Sequence, residues 1–186
     1  QNLRTIQSIP IKIKQKGYFE VRGECVMTKK VWQQLNKENE KLGRPLFANP
    51  RNSAAGSIRQ LDPKMAAARK LDFMAWDIAS ETGLPTHEAE HQLLHELGFK
   101  VDPHQKYCRT IRDVEAFIKK VEFEREDLPF NVDGVVITVN NLDLHPALGV
   151  VGKAPRYSIA FKYPAEQATT IVKNIVVNVG RTGALT

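Results

Sequence analysis

Phe47-Ala-Asn-Pro-Arg-Asn-Ser-Ala-Ala-Gly-Ser-Ile-Arg-Gln-Leu-Asp-Pro63 is the stretch around which the rest of the sequence is read. Asn49-Pro50 reads as a turn, after which Asn52 or Ser53 can cap a short helix begun by Ala54, Ala55, Gly56 and Ser57. Small residues let another molecule's backbone or phosphates come close. The start of a helix offers unpaired N–H donors and partial positive charge, and Arg51 and Arg59 flank this one with no acidic residue before Asp62. Two readings fit: an anion-binding turn, or a helix whose small residues pack tightly against a neighbour while both arginines are solvated.

Working outward, the chain has 186 residues, 42% hydrophobic and 26% charged, which is enough for one ordinary core or for one domain plus part of another. No apolar run approaches the roughly 20 residues of a membrane span, so a protein without a membrane segment is expected. Lys and Arg number 27 against 21 Asp and Glu, a net charge of +6, which permits a polyanionic partner without requiring one. Cys25 and Cys108 stand far apart and outside any Cys-x-x-Cys pair, so they signal neither zinc nor a disulfide framework, and a reducing cytoplasm is the expected location. The sequence opens at Gln1 without a signal segment and stops soon after a strand-like run, which reads as a piece of a longer polypeptide.

Before the central stretch, Ile9-Pro-Ile-Lys-Ile13 is strand-like, with Pro10 favouring an edge. Tyr18 to Met27 alternates, placing Phe19, Val21, Cys25 and Met27 on one face and Glu20, Arg22 and Glu24 on the other, while Gly23 marks a bulge or a close approach. Thr28 caps a helix that runs to Leu42 and stops at Gly43. After the central stretch, 64–70 is helical and 71–79 is a strand with Met74, Trp76 and Ile78 on one side. Trp76 is either a core residue or a flat surface for a base. Thr86 opens a helix ending at Gly98; its His87, His91 and His95 recur every four residues but lack the Glu of a His-Glu-x-x-His site, so no metal ligand is assigned in this chain. Phe99 to Val101 reads as a short strand. Thr110 begins a helix with Asp113 as capping-box partner. The strongest strand is 131–140, with Asp133, Val135 and Ile137 on one face and Val136 and Thr138 on the other. In the strand 158–163, Ser158, Ala160 and Lys162 share a face, and a lysine in a half-buried strand calls for an anion or a carboxylate. Finally, 169–179 is β-branched and reads as the opening strand of a small barrel.

Taken together, Phe-Glu-Val-Arg-Gly-Glu24, the central stretch to Pro63, Val-Asp-Gly-Val-Val-Ile137, Ala-Pro-Arg-Tyr-Ser-Ile-Ala-Phe-Lys-Tyr163 and Val-Gly-Arg-Thr-Gly-Ala-Leu185 resemble, in order, the bacterial NAD-dependent DNA ligases. The resemblance covers nearly the whole chain. It implies an α+β fold: a nucleotidyltransferase (ATP-grasp-like) adenylation domain of antiparallel sheets flanked by helices over residues 1–167, lacking its N-terminal part, then the first strand of an OB-fold barrel over 168–186.

Residue by residue, the resemblance implies that Glu24 contacts the adenylate ribose, Trp76 faces adenine and Val136 lines the base pocket. Arg51 and Arg59 would serve the phosphates and the nick, with Arg156 also on the DNA side. Arg125 holds a position where the family has a functional arginine. Asp133 matches the family's essential carboxylate, and Lys162 matches the lysine that grips the α-phosphate. The implied substrates are NAD and nicked duplex DNA, the implied metal is Mg2+, and zinc is expected only in a cysteine module outside these residues. A monomer is expected.

Two departures stand out. The family's Asp-Gly-Val-Val-Ile-Lys ends here in Thr138, replacing an expected charge by a neutral hydroxyl. No Lys-x-Asp-Gly, the family's nucleophile motif, occurs in these residues, so the chain alone is expected to form no lysyl-AMP. Other readings are an ATP- or GTP-dependent nucleotidyltransferase of RNA-ligase or capping type, against which the Asn-Pro-Arg-Asn run speaks, and a catalytically silent nucleic-acid-binding module.

Overall fold

The computed structural model describes residues 1–164 and 169–185. Its helices and small antiparallel sheets make an α+β fold. Strand β1 (Val21–Val26) leads into helix α1 (Lys29–Lys41), where Thr28 accepts a bond from the Val31 N–H and Gly43, at φ 61°, follows the helix end. Helix α2 (Pro50–Ile58) comes next, then α3 (Pro63–Ala68) and strand β2 (Asp72–Ile78), which pairs antiparallel with β1.

The core lies on one face of this strand pair. Ile6, Met27, Ala54 and Leu71 are buried together beneath α2, and Ala75, Ile78 and Leu94 form a second cluster; Phe73 touches both. Leu94 belongs to α4 (His87–Glu96), which starts at Thr86 as the sequence predicts. Phe99 to Val101 contributes one parallel bridge from Val101 to Ala75 in place of a strand.

Helix α5 (Ile111–Glu124) carries the expected capping box of Thr110 and Asp113 and lies against strand β3 (Gly134–Thr138). After the short helix α6 (His145–Leu148), strands β4 (Val150–Val151) and β5 (Ala154–Pro155) make a small hairpin. Strand β6 (Ser158–Lys162) then pairs antiparallel with β3, Gly134 opposite Lys162 and Thr138 opposite Ser158. No described helix is long and apolar enough to cross a membrane.

Four expectations need correction. Asn49, not Asn52 or Ser53, caps α2: its side chain accepts from the Asn52 N–H, and Pro50 sits at the first helical position, where its missing N–H costs nothing. The side shared by Met74, Trp76 and Ile78 is split by a β-bulge. Val21 pairs with Ile78, Arg22 with Asp77 and Gly23 with Ala75, so Trp76 is an extra residue without a cross-strand partner. The phase of β2 reverses there, which lets Ala75 and Ile78 both reach the core. The run 9–13 forms no strand; Ile9 packs on the core while Ile11 is fully exposed. Among the described residues, 169–178 likewise enter no ladder, since no described strand lies beside them, and Val179 forms a single bridge to Leu185. The domain boundary expected at 167/168 touches residues 165–168, which lie outside the described residues.

Candidate functional site

Three distant segments meet at one oxygen atom. Arg51, in the first turn of α2, donates from Nη1 to Asp133 Oδ2 at 2.5 Å, and Lys162, at the end of β6, donates from Nζ to the same oxygen at 3.0 Å. The β3–β6 pairing brings the last two together, since Asp133 immediately precedes Gly134, which stands opposite Lys162, and the Tyr163 N–H donates to the Asp133 carbonyl at 3.0 Å. The Asp133 carboxyl is held below its ordinary value, first by the hydrogen bond from Lys162, with partial burial opposing and the bond and charge of Arg51 assisting. All three side chains are more than half exposed, so these ion pairs add little to stability. Their use lies in charge. Two cations share one carboxylate, leaving an excess of one positive charge open to solvent, which suits a phosphate. The sequence expects Lys162 to be half-buried; instead it is exposed at the strand end, and Asp133 supplies the carboxylate partner.

The exposed face of β3 and β6 continues from this cluster. Val136 opposite Ala160 and Thr138 opposite Ser158 share the Lys162 face; Val136 is 67% exposed, and the Thr138 and Ser158 hydroxyls lie 3.2 Å apart. A lysine at position 138 would therefore stand on the same surface. Thr138→Lys should raise AMP affinity about tenfold, the worth of one charge-assisted contact of ~1.5 kcal/mol; unchanged affinity by titration would place position 138 away from the phosphates.

On the other sheet, Glu24 is paired with Met74 and points away from the core. The bulge turns Trp76 out to 51% exposure, which decides between its two readings in favour of a surface indole. The His91 ring reaches the Trp76 carbonyl at 2.9 Å through Nε2. A cavity of 1080 Å3 opens beside this face, lined among others by Val26, Met74, His91, His95, His104 and Phe130. None of the residues singled out for the nucleotide lines it, and periodicity gave no sign of it because its wall is assembled from two strands, a helix and loops.

Arg125, at the end of α5, lies over the Tyr163 ring at 5.4 Å and pairs with Glu126 at 3.5 Å, so it is set against the residue after Lys162. Arg59 does not join the cluster around Asp133. It closes the opposite end of α2 from Arg51, about 12 Å along the helix axis, and bonds the Ala55 carbonyl at 2.9 Å. Arg156 is exposed in the turn before β6, at the other end of that strand from Lys162. Both readings of the small-residue helix hold in part: Ser53, Ala54 and Ser57 are buried in close packing, while Ala55 is exposed and Gly56 has open space where a side chain would be. Of the three regularly spaced histidines, the His87 and His91 rings meet edge to face with centroids 4.4 Å apart, and His87 also turns its Nδ1 to Glu90, 3.2 Å from Oε2.

Residues 1–166 match the family described as the NAD-dependent DNA ligase adenylation domain. The chain belongs to that family. Among its relatives, the DNA ligase of Halothermothrix orenii is 50% identical over 187 residues, that of Shouchella clausii 48% over 187, and that of Bacillus velezensis 47% over 188. Each alignment covers 100% of this chain and 28% of the relative. The adenylation-domain match takes in every residue singled out above, from Glu24 to Lys162. The segment read as the start of a barrel lies past the matched residues.

Proposed function

We propose that these residues form the nucleotide-handling part of an NAD-dependent DNA ligase that seals 5′-phosphate/3′-hydroxyl nicks in duplex DNA through lysyl-AMP and DNA-adenylate intermediates. The observation that carries this reading is the meeting of Arg51 and Lys162 on one oxygen of Asp133. Adenylyl transfer builds negative charge on the non-bridging oxygens of the α-phosphate, and preorganised cations are the side chains that charge requires. In this reading Lys162 holds the α-phosphate, Arg51 shares it, and Asp133 fixes the stance of both. Trp76 offers its exposed indole to adenine, Glu24 accepts from the ribose hydroxyls and Val136 lines the base pocket. Arg125 braces the end of β6 through Tyr163. Arg59 and Arg156, away from the cluster, serve the DNA backbone, where a net charge of +6 favours a polyanion.

Asp133 is the carboxylate among these groups that could share Mg2+ with the phosphates, and the ion supplies Lewis-acid neutralisation of phosphoryl charge when bound. Residues 168–186 we read as the start of an OB-fold barrel, whose exposed Ile171, Val172, Ile175 and Val177 are suited to sheet partners. The setting is a cytoplasmic, monomeric enzyme.

The nucleophile is expected from a Lys-x-Asp-Gly motif that these 186 residues do not contain. A full-length ligase carrying them should seal nicked duplex with NAD and not with ATP. The 186-residue chain alone, given NAD labelled in its adenylate, should yield no acid-stable adenylated protein. Sealing with ATP, or labelling of the chain alone, would overturn the assignment.

A further inference from the structure

Glu90 is a charged group for which the nucleotide chemistry has no use. It lies on α4 at 5% exposure, and a carboxylate removed from water needs a cation, a metal or strong donors. What it meets is modest. Its Oε2 is 3.2 Å from His87 Nδ1, and its Oε1 accepts a long bond of 3.4 Å from Thr82 Oγ1. Asp77 of β2 brings a second carboxylate to the same place, so that one ligand atom from each of Asp77, His87 and Glu90 lies within 4.8 Å of the others. With a neutral imidazole the three carry two negative charges, and the cation that meets them is the half-exposed Arg22, with Nη1 3.4 Å from Asp77 Oδ2.

The backbone explains the convergence. His87 and Glu90 are three residues apart and share a face of α4, while Asp77 directly follows the extra residue of the bulge and lies opposite Arg22. Two ligand atoms of a tetrahedral ion with bonds of about 2.1 Å stand about 3.4 Å apart, close to the 3.2 Å between His87 and Glu90. One imidazole nitrogen with two carboxylates suits zinc and its first-row neighbours, whereas Mg2+ and Ca2+ favour oxygen alone. His91 is not part of the set, since its Nε2 is engaged by the Trp76 carbonyl.

We propose that Asp77, His87 and Glu90 form a structural site for a zinc-class divalent ion that fastens α4 to β2 beside Trp76. The 186-residue chain, stripped by a chelator and titrated with Zn2+, should bind one equivalent, and Co2+ in its place should give the visible absorption of a nitrogen- and oxygen-ligated ion. His87→Gln and Glu90→Gln should each weaken Zn2+ binding about tenfold or more. Asp77→Asn, at a less buried strand position, gives the same readout without disturbing the helix packing. His95→Ala, on the same helix but outside the cluster, should leave affinity unchanged. Zn2+ binding that survives all three ligand substitutions, or a chain that binds no Zn2+ and gives no Co2+ spectrum, overturns the proposal.

Discussion

Lys162→Ala in a full-length ligase carrying these residues should lower self-adenylation with NAD by about 10²–10³-fold, the usual cost of removing one preorganised group that stabilises developing charge. In the cluster, Asp133 neutralises one of two cations; without Lys162 it neutralises Arg51, and the surplus positive charge disappears. Asp133→Ala separates charge from placement. It raises the local positive charge, yet it should also abolish self-adenylation, because nothing then holds the guanidinium and the amine on one point. Normal rates in both variants would remove these residues from the site. Faster adenylation in Asp133→Ala would show that net charge alone matters.

Gly134→Ala is expected to be as damaging for a different reason. A methyl group on Gly134 would overlap the Phe161 carbonyl oxygen and come 3.1 Å from the Lys162 Cα. Both belong to the backbone of β6, which cannot turn aside as a flexible side chain can, so the β3–β6 ladder must open. We expect a loss of about 2–4 kcal/mol in stability, read from the urea unfolding midpoint. The same opening separates Asp133 from Lys162, so self-adenylation should fall even at temperatures where the variant remains folded. A variant as stable and active as the parent would mean that the two strands are not so closely apposed at this residue.

Much of the fold was legible because local chemistry fixed it. Thr28, Thr86 and Thr110 each bond a backbone N–H in the first turn of the helix they precede, and Asp113 completes a capping box. Asn49 was misread because Pro50 looks like a breaker, although at the first helical position it favours a helix. Strict alternation groups Trp76 with Ile78 because it has no room for an extra residue, and the bulge that inserts one and separates them depends on the partner strand. The runs 9–13 and 169–178 have strand-like composition without a strand, since a ladder needs a second chain segment at hydrogen-bonding distance.

The candidate site divides in the same way. Arg51, Asp133 and Lys162 were each marked by a motif; the β3–β6 register brings Asp133 and Lys162 together, and Arg51 reaches them from α2. Arg59 shared a motif with Arg51, but a helix of two and a half turns carries it to the far end. Of Asp77, His87 and Glu90 the spacing marked His87 alone, because the strand residue and the helix residues meet only when α4 settles against β2.

The central claim is that Arg51 and Lys162 jointly hold one phosphate, and calorimetric titration of the 186-residue chain with AMP and with adenosine tests it most directly. AMP should bind more tightly than adenosine, and Arg51→Ala or Lys162→Ala should bring AMP down to the adenosine level. Equal binding of AMP and adenosine by the unaltered chain, or an AMP preference that survives both substitutions, would contradict it.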